Sequence, residues 1–90
     1  DDYQRRYESR LTALHARLGK HQMAISYYEE TGRELSAEMI RAAKVSFESG
    51  EINFLEFTLM IDAALEIQMK YLDELLAYNQ VVLEINYLTL

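Results

Sequence analysis

The 90-residue chain is half hydrophobic and 27% charged, a composition that excludes a disordered tail and a membrane span. Its net charge of −6 argues against a nucleic-acid partner, because binding phosphates requires a basic face. Without cysteine, the chain has neither disulfides nor thiol chemistry.

The first segment, from Tyr3 to Glu30, has apolar residues in alternating steps of three and four, which is the period of a coiled-coil seam. This pattern predicts a helix over about 3–31. The expected seam residues are Tyr7, Leu11, Leu14, Leu18, His21, Ile25 and Tyr28.

A break in the first arm is predicted near Thr31–Ser36. Gly32 suits the left-handed position that follows the last turn of a helix, so Thr31 and Gly32 should end the first helix. Ser36 is a residue type that caps a helix N-terminus, which predicts a second helix over about 36–49.

A tight turn is predicted at Gly50–Ile52. Gly50 interrupts the helical pattern, and Asn53 can cap the next helix with Glu56 three residues later, as in a capping box. A connection this short makes the two helices antiparallel neighbours. The next helix is expected over about 53–88.

The second arm contains neither Gly nor Pro, and its apolar surface is wider than one partner helix would cover. At about 1.5 Å per residue it would span roughly 50 Å, which no compact domain of this size could hold. The surplus apolar surface should therefore meet other chains or other parts of the same protein. The predicted helix-packing seam comprises Phe54, Phe57, Ile61, Leu65, Leu72 and Leu75.

These elements predict an all-α fold, an elongated antiparallel helical hairpin of coiled-coil type formed by residues 1–90. The start at Asp1, without an initiator Met or a signal peptide, suggests a fragment of a larger protein. Residues 1–47 carry eight Lys/Arg and seven Asp/Glu, a net +1, whereas residues 48–90 carry one Lys and eight Asp/Glu, a net −7. This asymmetry would give the halves mild complementarity, but most of these acids should form a solvated face.

Residues for catalysis are not evident. His15 and His21 lie six apart and point to different faces of a helix, unlike a metal-binding pair four residues apart. The four Met are scattered as in a packed core, and no Gly-rich phosphate loop or Ser/His/Asp set is present. We therefore expect no enzyme, no catalytic residues, no metal site and no cofactor.

Residues 37–88 resemble the last helical hairpin of the TolC-like outer-membrane efflux proteins. In that family an aromatic residue lies three positions before a Gly, a small polar residue three after it and an acidic residue six after it, as do Phe47, Gly50, Asn53 and Glu56 here. The ending "YLDELLAYNQVVLEINYL" also follows the family spacing, and "GEINFLEF" is similar to the heavy-metal branch, including versions fused to the inner-membrane pump.

The resemblance implies a periplasmic tunnel segment of a trimeric efflux duct, served by a periplasmic adaptor protein and an inner-membrane pump of the RND type. It places the turn, Gly50, Glu51, Ile52 and Asn53, at the tip that docks onto the adaptor. It places Glu56 near the constricted entrance, where a ring of carboxylates would favour cations. Glu56 could instead serve only as a capping residue.

The sequence departs from the family pattern at two places. A second acidic residue is often found where this chain has Leu59, with Asp62 one turn further on, and the chain ends in Leu88-Thr89-Leu90 without the family's Gly-containing turn. Two other functions stay open: a self-associating helical-hairpin adaptor, and a helical metal-binding or enzyme module that would retain metal.

Overall fold

The computed structural model describes residues 1–90 as two antiparallel helical arms. The first arm comprises α1 (Asp2–Tyr27), a π-helical turn (Tyr28–Gly32) and α2 (Arg33–Glu48), and the second arm is α3 (Phe54–Thr89). The molecule measures 69 × 22 × 17 Å, and its radius of gyration is 19.7 Å, against the roughly 12 Å of a compact domain of this length. The predicted all-α, elongated hairpin is therefore confirmed.

The predicted interruption of the first arm is present as the π-helical turn Tyr28–Gly32, but it is not the helix stop and new cap that the sequence suggested. Gly32 has φ −64° and Arg33 has φ −62°, both right-handed helical, so the arm continues without a left-handed stop. Ser36 is not a cap, because its hydroxyl donates to the carbonyl of Arg33 at 3.1 Å inside a continuous helix. Glycine tolerates a helix interior when packing favours it, and here Gly32 is buried against Tyr28 and Ile67.

The π-turn, Tyr28–Gly32, shifts the phase of the first arm by one residue. The Arg33 amide bonds to the carbonyl of Tyr28, five residues back, which inserts one residue into the helical repeat. An uninterrupted heptad would place Leu35 in the seam, yet Leu35 is 46% exposed and Ser36 only 1%. From Ser36 to the tip, the inward face is therefore displaced by one position along the sequence.

The interface between the arms is narrow and is held by a few cross-arm contacts. The fully buried apolar side chains are Leu14, Ala43, Ala64 and Val81. The rings of Tyr28 and Tyr71 stack with centroids 4.1 Å apart. Near the open end, the Tyr7 hydroxyl donates to the carbonyl of Leu88 at 3.0 Å, and Arg10 approaches Glu84 at 3.8 Å. These contacts fix the register of α1 against α3.

No helix combines the length and hydropathy that a membrane-spanning segment needs.

Candidate functional site

The tip of the hairpin is a short reversal that begins with a Schellman motif at the end of α2. Gly50 has φ +81°, a left-handed conformation that only glycine adopts at low cost. The amide of Glu51 donates to the carbonyl of Ser46 at 2.9 Å, and the amide of Gly50 donates to the carbonyl of Phe47 at 3.1 Å. These two bonds are the pair that defines this helix ending.

A capping box starts α3 directly after the reversal. Asn53 has an extended backbone, with φ −87° and ψ 177°, and its side-chain oxygen accepts from the Glu56 amide at 2.8 Å. In return, the Glu56 carboxylate accepts from the Asn53 amide at 3.1 Å. The capping role predicted for these two residues is confirmed. The Glu56 residue is nevertheless exposed, so the capping contact does not remove it from solvent.

Three aromatic rings pack against one another between the end of α2 and the start of α3, next to the tip. Phe47 of α2 stacks on Phe57 of α3 with centroids 4.9 Å apart, and it meets the edge of Phe54 at 6.2 Å. Sequence reasoning placed Phe47 on the inward face but not among the site residues. Its position three residues before Gly50 was the available signal, because a ring there lies over the start of the next helix. The reversal therefore rests on a partly exposed cluster of three rings, and it exposes Glu51 and Asn53.

The residues predicted as a packing seam fall on two sides of α3. Phe57, Ile61 and Leu75 are half-buried on the side that faces the first arm. Phe54, Leu65 and Leu72 are exposed in this chain, whereas Ala64 and Val81 are buried. The second arm thus presents more apolar surface than its own partner arm covers.

A second apolar stripe, which we call the outer seam, runs along the exposed side of α3. Its members are Leu55, Leu65, Met69, Leu72, Leu76 and Leu83, each between 44% and 67% exposed. Leu55, Met69, Leu76, Leu83 and Leu90 share one seven-residue repeat, which only Asp62 interrupts. This strict repeat is the signal that sequence reasoning missed for Leu55, Met69, Leu76 and Leu83. A heptad repeat is the pattern of a helix that packs against another helix.

His21 and Glu74 form the closer of the two contacts between ionisable side chains of opposite arms. His21 is half-buried, and its Nδ1 lies 2.6 Å from the Glu74 carboxylate. His15 is exposed, and its Nδ1 is 2.9 Å from the carbonyl oxygen of Leu11 in its own helix. No group of three or more His, Cys, Asp or Glu is arranged to hold a metal ion. The His21–Glu74 pair links α1 to α3 and offers no third ligand or nucleophile.

Comparisons with known proteins add no family assignment. No protein-family model, curated protein or solved structure matches the chain significantly. Any functional proposal therefore rests on the resemblance of residues 37–88, the geometry of the tip and the outer seam.

Proposed function

We propose that the chain is a periplasmic tunnel segment of a TolC-like outer-membrane efflux duct, which exports heavy-metal cations with the help of an adaptor protein and an inner-membrane pump. The observation that carries the proposal is the capped reversal at the end of a 69 Å hairpin. A Schellman ending and a capping box leave little freedom at Gly50–Asn53, so the tip is preorganised for docking.

The outer seam supports a role as part of a wall. A helix in the wall of a tunnel contacts neighbours on two sides, whereas a helix of an isolated hairpin contacts only one. In α3 one apolar side faces the first arm and the outer seam faces away from it. In the full-length trimeric duct, the outer seam would be covered by an adjacent helix.

Glu56 is proposed to contribute charge at the entrance of the duct. Its carboxylate lies in the first turn of α3, beside the tip, and is exposed. Three copies around a trimer axis would form a carboxylate ring, which attracts cations and repels anions. The chain itself performs no chemical step in this proposal, because the pump supplies the energy and the duct supplies the path.

The docking role of the tip is tested by crosslinking in the full-length protein. Cysteines introduced at Glu51 or Asn53 should capture the hairpin of the periplasmic adaptor, because both side chains are exposed beside Gly50. A cysteine at Lys44, exposed on α2 below the tip, serves as the control. Absence of any adaptor product at Glu51 and Asn53 would remove the tip assignment.

A self-associating hairpin adaptor is the second candidate. The outer seam favours it equally, since two hairpins that associate through this exposed apolar stripe form a four-helix bundle. The sequence that flanks these residues in the full-length protein separates the two functions. A stand-alone reading frame of this size would favour the adaptor.

A further inference from the structure

The outer seam of α3 exposes much of the area that a stable interface needs. Its six side chains expose on the order of 600 Å² together, against about 800 Å² per partner in a standard stable interface. Glu66 and Asp73 lie beside this stripe on the same exposed side of α3, so the seam has an acidic border. The matching partner should therefore offer a shallow apolar surface with basic side chains next to it.

The outer side of α1 has this character. Thr12, Ala13, Ala16 and Gly19 are small residues on the side of α1 that faces away from α3, and a Cβ built at Gly19 would meet nothing within 4 Å. This side of the helix is a shallow, open surface along Ala16, Gly19 and Lys20, and the exposed Met23 and Tyr27 bound it toward the π-turn. We call this surface the α1 groove. Large side chains pack closely on a helix whose facing residues are small.

The register of the hairpin places the two surfaces at matching levels. His21 lies beside Glu74, and Arg10 lies beside Glu84, so these pairs mark equal heights along the molecule. When a second copy lies alongside with its tip at the same end, Leu76 of one copy reaches the height of Gly19 in the other.

The same arrangement brings Leu83 to the height of Thr12 and Ala13. Leucines of the outer seam thus face the small residues of the α1 groove. In this arrangement α3 of one copy runs antiparallel to α1 of the other copy, as it does to α1 of its own chain.

Charge favours this pairing over contact between two α3 helices. Residues 48–90, which contain α3, carry a net −7, whereas residues 1–47 carry a net +1 with eight of the nine basic residues. At equal heights, Asp73 beside the outer seam comes within one helical turn of Lys20 beside the groove. Two α3 helices would instead bring acidic borders together, which costs free energy.

We infer that the outer seam of α3 binds the α1 groove of a second copy of this chain, side by side and with both tips at the same end. The interface is heterologous, since each copy offers a different surface to each neighbour, and repetition gives a ring or an open row. This inference does not depend on the duct proposal, because a free-standing adaptor would associate through the same surfaces.

The oligomeric state of the chain tests the inference. Sedimentation velocity over a 1–200 μM range should show concentration-dependent association of the unaltered chain. Leu76→Glu places a carboxylate in the centre of the seam and should weaken association at least 100-fold. Ala63→Glu introduces the same charge at an exposed position on another side of α3 and should leave association unchanged. A chain that stays monomeric throughout, or equal effects of the two variants, would overturn the inference.

Crosslinking between differently labelled copies tests the register. The chain has no cysteine, so a Leu76→Cys chain mixed with a Gly19→Cys chain should form mixed disulfides under mild oxidation. An Ala63→Cys chain mixed with the same partner should not, because its Cβ lies far from the groove. Predominant disulfides between two Leu76→Cys chains would show α3 against α3 and contradict the inference.

Charge exchange gives an independent check that retains the folded hairpin. Asp73→Lys and Lys20→Glu should each weaken association about threefold to tenfold, and a chain carrying both changes should recover most of the loss. Failure of the double variant to recover would exclude the proposed Asp73–Lys20 proximity and with it the stated register. Circular dichroism at 222 nm confirms that each variant keeps its helical content.

Discussion

Replacement of Gly32 by alanine should destabilise the hairpin, although the same change in an open helix stabilises it. A Cβ at Gly32 would lie 2.8 Å from Cδ2 of Tyr28 and 3.3 Å from Cγ2 of Ile67. The Tyr28 ring cannot turn aside freely, because it stacks on Tyr71 with centroids 4.1 Å apart. The added methyl group must therefore displace the ring, the isoleucine or the π-turn itself.

Gly19 provides the matched control within the same arm. It is also helical, and a Cβ there would meet nothing within 4 Å. Gly19→Ala should gain about 1 kcal/mol of helix propensity, the difference between the two residues in a helix interior. Gly32→Ala gains the same amount but incurs an overpacking cost of about 1–3 kcal/mol, which leaves a net loss of roughly 1 kcal/mol.

Thermal unfolding followed at 222 nm measures both variants. At about 4–8 °C per kcal/mol for a domain of this length, Gly19→Ala should raise Tm by about 4–8 °C and Gly32→Ala should lower it by a similar amount. The chain should be held at low micromolar concentration, because Gly19 also lines the α1 groove. If Gly32→Ala stabilises the hairpin as much as Gly19→Ala does, the close contact at the π-turn is not a constraint and the argument fails.

Three further predictions concern the tip and the core. Gly50→Ala should cost about 1–2 kcal/mol of unfolding free energy, because the Cβ of alanine is sterically strained in the left-handed region at φ +81°. An unchanged denaturation midpoint would contradict this. Glu56→Gln should preserve stability to within about 0.5 kcal/mol, since glutamine also completes a capping box, whereas Glu56→Ala should lose about 1 kcal/mol. In a full-length duct, Glu56→Gln should reduce cation passage, and unaltered passage would leave Glu56 as a cap alone. Leu14→Ala should cost about 2–3 kcal/mol in urea unfolding, because Leu14 is 3% exposed, while the exposed Leu59→Ala should change little.

Local chemistry explains why the tip could be predicted in detail from the sequence. A glycine followed three residues later by Asn53, with Glu56 another three on, specifies a helix stop and a capping box through contacts within a few residues. The turn at Gly50–Ile52 and the start of α3 therefore follow from short-range rules. The antiparallel arrangement follows in turn from the shortness of the connection.

The π-turn could not be predicted because its cause is tertiary. The same local rules treat Gly32 as a stop and Ser36 as a cap, but packing on α3 keeps the helix continuous through both. Burial of Gly32 beside Tyr28 and Ile67 depends on a residue 35 positions away in the sequence. Propensity is a weak effect that such packing overrides.

The sequence alone also could not show which part of the apolar surface of α3 the first arm covers. Leu65 and Leu72 lie beside the stripe that faces the first arm, and a wide apolar helix does not reveal which of two adjacent stripes its own chain covers. The seven-residue repeat through Met69, Leu76 and Leu83 shows that both stripes have coiled-coil spacing.

The π-turn makes the first arm one residue longer than a regular heptad requires. Removal of one exposed residue there, such as Thr31, would let an ordinary α-helix bring Ser36, Ile40 and Ala43 to the same inward face that they occupy now. The composition of the core would not change, and only the π-turn would disappear. Deletion of one residue at this turn should therefore leave both the tip and the open end of the hairpin in register.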